Sequence, residues 1–143
     1  MPKKFRVFLD TSVILSGLNS PSGASAAILA AAHGGSCIAV ISPQVIEEAE
    51  RNISTKFPKL KSGWISFLLI PPEITSAPSI QEITRAYEII PTSDAPILAS
   101  ALKTRVNVLV TLDKDFLNIK NDFRFSVLSP SELLEEMRSQ KLI

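Results

Sequence analysis

The sequence predicts an α/β fold in which a mostly parallel central sheet of four to five strands is covered on both faces by helices, a three-layer sandwich. Short apolar runs, among them Val7-Phe8-Leu9 and Val108-Leu109-Val110, alternate along the chain with segments of helical periodicity. Unbroken apolar runs are typical of parallel strands that are buried on both faces. With 143 residues, 45% of them hydrophobic, the chain is expected to form one domain over residues 1–143.

Each element is predicted from its apolar periodicity and its boundary residues. Ser42 followed by Pro43 is typical of a helix start, and Gly34-Gly35 marks a helix end. Pro71-Pro72 breaks the chain and leaves room only for a short edge strand near residues 69–74. The other predicted strands cover residues 6–9, 37–41, 106–111 and 125–128. The predicted helices cover residues 11–18, 24–32, 43–54, 58–67, 80–89, 94–103 and 130–140.

The composition also predicts where the protein works. Its one cysteine, Cys37, lies in an apolar stretch, which predicts a buried thiol and fits a reducing cytoplasm. The longest apolar run, residues 64–70, is too short to span a bilayer, and no signal-peptide pattern opens the chain. We therefore expect a soluble, cytoplasmic protein that makes no membrane contact.

Two predicted strands run into aspartates. Asp10 follows the first apolar run, and Asp113 and Asp115 follow the run at residues 108–110. Ligands of open α/β sheets bind beyond the carboxyl ends of the strands. Asp94 and the glutamates of residues 47–50 could join this edge, and so many carboxylates repel one another unless a cation lies among them. The leading hypothesis is therefore a divalent-metal site.

Each acid also has a purely structural interpretation. Asp10 could cap the following helix, and Asp94 could stabilise a first helical turn that is capped by Ser93. Asp113 and Asp115 could belong to a solvated turn, although their position directly beyond an apolar strand argues against it. Asp113 is nearer the strand end and is the better ligand candidate.

The predicted helix at residues 43–54 separates its glutamates by direction. At about 100° per residue its apolar residues form one stripe, with Glu48 and Glu50 on the two flanks and Glu47 nearly opposite. Glu47 also has Arg51 four residues further on as a partner for a surface ion pair. Periodicity leaves both Glu48 and Glu50 as candidates for an acid that faces the cleft.

Four segments that contain the candidate acids follow one another along nearly the whole chain. They are Phe8-Leu9-Asp10-Thr11-Ser12-Val13-Ile14-Leu15-Ser16, Ser42-Pro43-Gln44-Val45-Ile46-Glu47-Glu48, Asp94-Ala95-Pro96-Ile97-Leu98-Ala99-Ser100-Ala101 and Val110-Thr111-Leu112-Asp113-Lys114-Asp115-Phe116. In this order the segments resemble the PIN-domain family, and within that family the chain resembles the small stand-alone toxins of toxin–antitoxin pairs.

The resemblance implies a PIN-like fold and a metal-dependent nuclease, usually an endoribonuclease. It implies four site acids around one or two Mg²⁺ or Mn²⁺ ions, and it selects Glu48 over Glu50. The hard oxygen ligands suit these ions rather than zinc. Our hypothesis assigns metal binding to three aspartates, with Asp115 as a further candidate ligand, and gives Glu48 the role of completing the site or orienting the attacking water. Ser12 and Thr111 support these groups by hydrogen bonding. The four implied acids are Asp10, Glu48, Asp94 and Asp113, of which the three aspartates are the proposed ligands.

Charge and resemblance together suggest the partners. The net charge is only +1, but committing four acids to metal leaves ten acids against fifteen Lys and Arg, a balance of +5 that could attract RNA. A solvated charged surface explains the scattered bases equally well. The resemblance implies a homodimer and an antitoxin protein that covers the acidic cleft. Trp64, Phe67 and Leu68 could form a dimer face, although core packing is the favoured interpretation.

Two other classes of function fit parts of the pattern. A non-catalytic RNA- or protein-binding module would use the acids only for folding or contact. A phosphotransfer or phosphatase domain would also have aspartates at strand ends, but its Asp-x-Asp motif would need an acid where Ser12 stands. The single histidine, His33, lies at a predicted helix end, which disfavours histidine-based acid–base chemistry.

Overall fold

The computed structural model describes residues 4–119 and 122–143. This part of the chain contains five strands and eight α-helices, with one 3-10 turn between the third and fourth helices. The strands are β1 (Arg6–Leu9), β2 (Ile38–Ile41), β3 (Glu73–Ile74), β4 (Val108–Val110) and β5 (Ser126–Leu128). The helices are α1 (Thr11–Asn19), α2 (Ala24–His33), α3 (Pro43–Thr55), α4 (Lys61–Leu69), α5 (Ile80–Ile89), α6 (Ala95–Lys103), α7 (Lys114–Leu117) and α8 (Pro130–Ser139).

The strands form a single sheet in the order β3-β2-β1-β4-β5, and every neighbouring pair is parallel. The predicted α/β class is therefore confirmed. From β1 the chain first builds outward through β2 and β3, and then returns to build β4 and β5 on the other side of β1. The strand order reverses between β1 and β4, and a crevice for a ligand opens at such a point beyond the carboxyl ends of the strands.

The core sits on both faces of this sheet. Val7, Phe8 and Leu9 are fully buried in succession, although successive side chains of a strand point to opposite faces. The same holds for the three residues of β4, each at most 2% exposed. Both faces are therefore covered by helices, as the unbroken apolar runs predict.

Most predicted elements are present with boundaries shifted by one or two residues. The predicted start of α3 is confirmed, since the Ser42 side chain accepts a hydrogen bond from Val45 N (3.3 Å) and Pro43 occupies the first turn. One predicted helix differs: residues 58–67 do not form a single α-helix, because Pro58–Leu60 form a 3-10 turn before α4 begins. Residues 114–117, for which the sequence predicts no element, form α7, and Phe116, which is fully buried, anchors it.

The aromatic residues of α4 belong to the core. Trp64 is buried and stacks on Phe67, with 5.7 Å between the ring centroids. Phe67 and Leu68 are partly buried and pack against the core. The core interpretation is therefore confirmed for these residues. Cys37 is buried as predicted, and burial raises the pKa of its thiol to about 11.

Across the residues that the structure describes, no single helix is long and apolar enough to cross a membrane. α1 and α2 together reach the required length and composition, but they are bent by 98° relative to each other.

Candidate functional site

Asp10 lies directly beyond β1, at the point where the strand order reverses. Its backbone N donates to Val110 O of β4 (3.1 Å), so Asp10 is the first residue after the paired part of β1. Its carboxylate is buried, with 4% of the residue exposed. Oδ1 accepts from Thr11 N (2.9 Å), while Oδ2 accepts from Ser12 Oγ (2.9 Å) and Thr111 Oγ1 (2.7 Å). Asp10 therefore occupies the capping position of α1 and also faces the crevice.

The two hydroxyls that hold Asp10 are themselves hydrogen-bonded from the other side. Thr111 Oγ1 accepts from Asp113 N (2.9 Å), and Ser12 Oγ accepts from Leu112 N (3.1 Å). A hydroxyl has one proton to donate, and here each donates it to Asp10. The carboxylate of Asp10 thus ties the loop after β4 to the start of α1.

Burial and hydrogen bonding act in opposite directions on Asp10. Burial raises the pKa of its carboxyl, whereas the hydrogen bonds from Thr111, Ser12 and Thr11 lower it. The negative charge of Glu48 raises it further, and the net shift is upward. The three donors therefore offset only part of the cost of holding a charge in this buried position.

The structure separates the three glutamates of α3. Glu48 reaches the crevice, where its Oε2 accepts from Thr11 Oγ1 (2.8 Å). Glu47 is exposed and pairs with Arg51 (3.5 Å), which confirms the predicted surface ion pair. Glu50 lies on the other flank of α3, within 3.4 Å of Trp64 Nε1 on the α4 side. Of the two flanking acids, Glu48 is the one beside Asp10.

Asp94 stands at the start of α6 without capping it. Its side chain makes no capping hydrogen bond, and its backbone N donates to Thr92 Oγ1 (3.1 Å). The predicted capping role of Ser93 was wrong, because Asp94 itself occupies the cap position. The Asp94 carboxylate is therefore free of the helix terminus and faces the other acids.

Those neighbours change the acidity of Asp94 strongly. Burial is the largest cause, followed by a hydrogen bond to the Asp113 carboxyl and by the charges of Asp10, Asp113 and Glu48. Together they raise the pKa of Asp94 to about 7. Four carboxyl groups from four separate segments thus act on one another in the crevice.

Asp113 and Asp115 differ in their surroundings. Asp113 is partly buried, and its Oδ1 accepts from Asp115 N (2.8 Å) at the start of α7. Asp115 is exposed, and its carboxylate is absent from the described groups that shift the pKa of Asp94. The structure therefore brings Asp113 together with Asp94, and places the Asp115 side chain outside this group.

The four carboxylates suit a hard divalent cation. The carboxylates meet in the crevice with the hydroxyls of Thr11, Ser12 and Thr111, whose hydrogen bonds offset only part of the cost of burying charge. Within residues 4–119 and 122–143, no three Asp, Glu, His or Cys side chains form a group that could hold a metal ion. The carboxylates repel one another, and a divalent cation among them would offset that repulsion. The match to a divalent cation therefore rests on the type of donor atom and on the charge of the site.

Three contacts at this site do not follow from the sequence pattern. The Thr11 hydroxyl donates to Glu48, and the Thr92 hydroxyl accepts from Asp94 N. In the third contact, Leu112 N donates to the Ser12 hydroxyl. The position of Thr11 next to Asp10 is a signal for the first. The other two depend on loop conformations that no periodicity encodes.

Comparisons with known proteins agree with this geometry. A family model described as "PIN domain" matches residues 6–115. The crystal structure of PAE2754 from Pyrobaculum aerophilum superposes with a TM-score of 0.68 at 16% identity, over 95% of this chain and 91% of that chain. A chain of VapBC2 from Rickettsia felis, solved bound to a DNA fragment from their promoter, superposes with a TM-score of 0.62 at 20% identity, over 87% of this chain and 98% of that chain. No curated protein gives a significant match. Because the family model covers well over half of the chain, this protein belongs to the PIN-domain family.

Proposed function

We propose that the protein is a Mg²⁺- or Mn²⁺-dependent endoribonuclease that hydrolyses phosphodiester bonds of RNA. The observation that carries the proposal is the convergence of four carboxyl groups from four segments in one crevice, where burial and the neighbouring acids raise the pKa of Asp94 to about 7. A fold does not gather acids in this way for stability, because their repulsion costs free energy. Membership of the PIN-domain family, a family of nucleases, supports the same reaction class.

In this proposal Asp10, Asp94 and Asp113 hold the cation, and Asp115, whose exposed side chain lies outside their group, orients Asp113 through its backbone N. A bound divalent cation neutralises the phosphate charge and lowers the pKa of water. Asp10 is fixed by three hydrogen bonds, so its carboxylate enters the site in one orientation. Ser12 and Thr111 supply two of these bonds and also hold the loop that carries Asp113.

Glu48 is the proposed partner of the attacking water. Its Oε2 is held by Thr11, which leaves Oε1 to accept a proton from water in the crevice. Its proposed role differs from that of the three aspartates, because Glu48 orients and deprotonates the attacking water whereas the aspartates bind the cation.

The assignment of metal ligands predicts a loss of metal binding in an Asp10→Asn, Asp94→Asn double variant. We expect Mn²⁺ binding, measured by isothermal titration calorimetry, to disappear, and Mn²⁺-dependent cleavage of labelled RNA to fall by at least about 100-fold. Asp122→Asn is the matched control, since Asp122 is exposed and lies away from the crevice.

Unchanged Mn²⁺ affinity in the double variant would contradict the assignment. A wild-type protein that binds RNA but cleaves none of several RNAs with Mn²⁺, and behaves identically with EDTA, would instead indicate a non-catalytic binding module.

The role of Glu48 predicts a different defect. Glu48→Gln keeps the shape and the contact with Thr11 but removes the base, so we expect kcat for RNA to fall roughly 100-fold or more while Mn²⁺ affinity changes less. Glu47→Gln, one residue away on the exposed side of α3, is expected to behave as wild type. If both variants have the same kcat, Glu48 has no part in the reaction.

The raised pKa of Asp94 in the acidic crevice also predicts that the stability of the metal-free protein depends on pH. The pKa of Asp94 lies at about 7 in the folded state, against an ordinary value near 3.8, so the folded state binds the proton more tightly. The stability that this proton contributes is fully present below the ordinary pKa near 3.8 and is lost as pH rises from there through 7. Allowing for solvent screening at this partly exposed group, we expect Asp94→Asn to unfold about 3 to 5 °C higher than wild type at pH 8.

At pH 5.5 the same variant should keep only part of this advantage, because Asp94 is then still protonated in the folded protein but already ionised in the unfolded chain. Differential scanning fluorimetry in EDTA gives both measurements. A D94N variant that is less stable than wild type at pH 8 would contradict the proposed repulsion.

The partners belong to the same proposal. We propose that the protein is a cytoplasmic toxin that forms a homodimer and is inhibited by an antitoxin whose tail covers the acidic crevice. The likeness of its fold to a chain of VapBC2 supports this assignment. The surface that remains when four acids bind metal carries the +5 balance that an RNA substrate needs.

The toxin assignment predicts an inhibitor protein that is encoded beside this chain. Co-expression with a small neighbouring protein should restore growth to cells that make the wild-type chain, and the purified complex should cleave RNA at least about 10-fold more slowly than the free protein. Growth that is unaffected by expression of the free protein would argue against a toxin while leaving the nuclease proposal intact.

A further inference from the structure

A second concave surface adjoins the acidic crevice. A cleft of about 360 Å³ lies between the segment that joins α5 to α6, residues 89–92, and helix α7, which contributes Asp115, Asn118 and Ile119. Its volume is near the lower end of the roughly 300–1,000 Å³ range of small-ligand sites.

Both walls of this cleft are hydrogen-bonded to site acids. On one wall Thr92 Oγ1 accepts from Asp94 N (3.1 Å), and on the other Asp115 N donates to Asp113 Oδ1 (2.8 Å). A strand whose phosphate reaches Asp94 and Asp113 would therefore bring its neighbouring nucleoside to the mouth of the cleft.

The lining of the cleft suits a base rather than a phosphate. Ile90 is buried, Ile89 and Ile119 are partly buried, and with Pro91 they form an apolar surface. The polar groups of the rim are Thr92, Asp115 and Asn118, and among the residues that the structure describes no Lys or Arg lines the cleft. The negative charge of Asp115 repels a phosphate, whereas its oxygens accept from the amino group of a base.

Asn118 is the residue best placed to read that base. It is exposed at the end of α7, and its side chain makes no hydrogen bond to the other residues that the structure describes. Its amide offers both a donor and an acceptor, the combination with which proteins read base edges.

Resting on the proposed ribonuclease function, we propose that this cleft receives one unpaired nucleoside of the RNA beside the scissile phosphate, and that Asn118 determines base preference there. Only a base that is splayed out of a helix presents its edge to a cleft of this kind. The two acceptors of the rim, Asp115 and the Asn118 carbonyl, favour bases that carry an exocyclic amino group over uracil.

The test combines a change in the protein with a change in the RNA. After the cleavage site is mapped, oligonucleotides are made with a single abasic residue on either side of it. For wild type, we expect the abasic residue at one of these positions to lower kcat/KM roughly 10-fold, the loss of one stacked and hydrogen-bonded base. In Asn118→Ala that penalty should shrink to less than about 3-fold, and discrimination against uracil should weaken.

Asn19→Ala is the matched control, since Asn19 is likewise exposed at a helix end but lies at the far end of α1. It should retain the full abasic penalty. An abasic penalty of equal size in Asn118→Ala and wild type would overturn the proposal, as would the absence of any penalty in wild type.

A binding measurement keeps this inference separate from the proposed function. If wild type cleaves no RNA, the proposed function fails, and the cleft is then tested with a non-cleavable 2′-O-methyl trinucleotide in EDTA. We expect the amide resonances of Thr92, Asn118 and Ile119 to shift on titration, and the shifts to be at least 5-fold weaker in Asn118→Ala. No shift at these amides would overturn the proposal.

Discussion

The parallel pairing of β1 with β4 is the constraint on which the site depends. It aligns Leu9 with Val110, so the next residue of each strand, Asp10 and Thr111, come together although 101 residues separate them. The register is strongly specified, because both strands are buried on both faces and a slip of one residue would exchange those faces. The hydrogen bond of 2.7 Å between Thr111 and Asp10 then fixes the loop after β4, and with it Asp113.

A rigid base is necessary because the groups it holds repel one another. Asp10 and Asp94 both have a raised carboxyl pKa, and in each case burial is the largest cause. The unpaired charge lowers the stability of the metal-free fold, and the fully buried strands beneath the site offset that cost. Functional sites commonly retain such local instability, since the same repulsion that opposes folding attracts a cation.

The sequence predicts the parts of this site that depend on strand ends. Asp10 and Asp113 follow apolar runs, and strand ends in a parallel sheet meet at one edge, so their approach requires no knowledge of the loops. The choice between Glu48 and Glu50 could not be made by periodicity, because both flank the same apolar stripe. It depends on which side of α3 faces α1 and which faces α4, and the contacts with Thr11 and Trp64 decide it.

The starts of the short helices were hardest to predict. Asp94 carries the residue type of a helix cap and occupies the cap position, but its side chain makes no capping hydrogen bond and interacts with the other acids. The four residues of α7 are too few to show a helical period, and only the buried Phe116 gives the segment its helical packing. Helix propensity and apolar pattern report only local preferences, whereas the conformations of these two segments are determined by contacts with residues distant in the sequence.

Helix α7 connects the carboxylate group to the adjoining cleft. Its first residues follow Asp113, which belongs to the carboxylate group, while Asp115 and Asn118 face the adjoining cleft. Asp115 donates its backbone N to Asp113 and leaves its own carboxylate exposed, so one aspartate of the Asp-Lys-Asp turn is orienting the other. Phe116, which is fully buried, anchors this helix in the core. The same buried side chain therefore positions the backbone N that holds Asp113 and the two residues of this helix region, Asp115 and Asn118, that line the adjoining cleft.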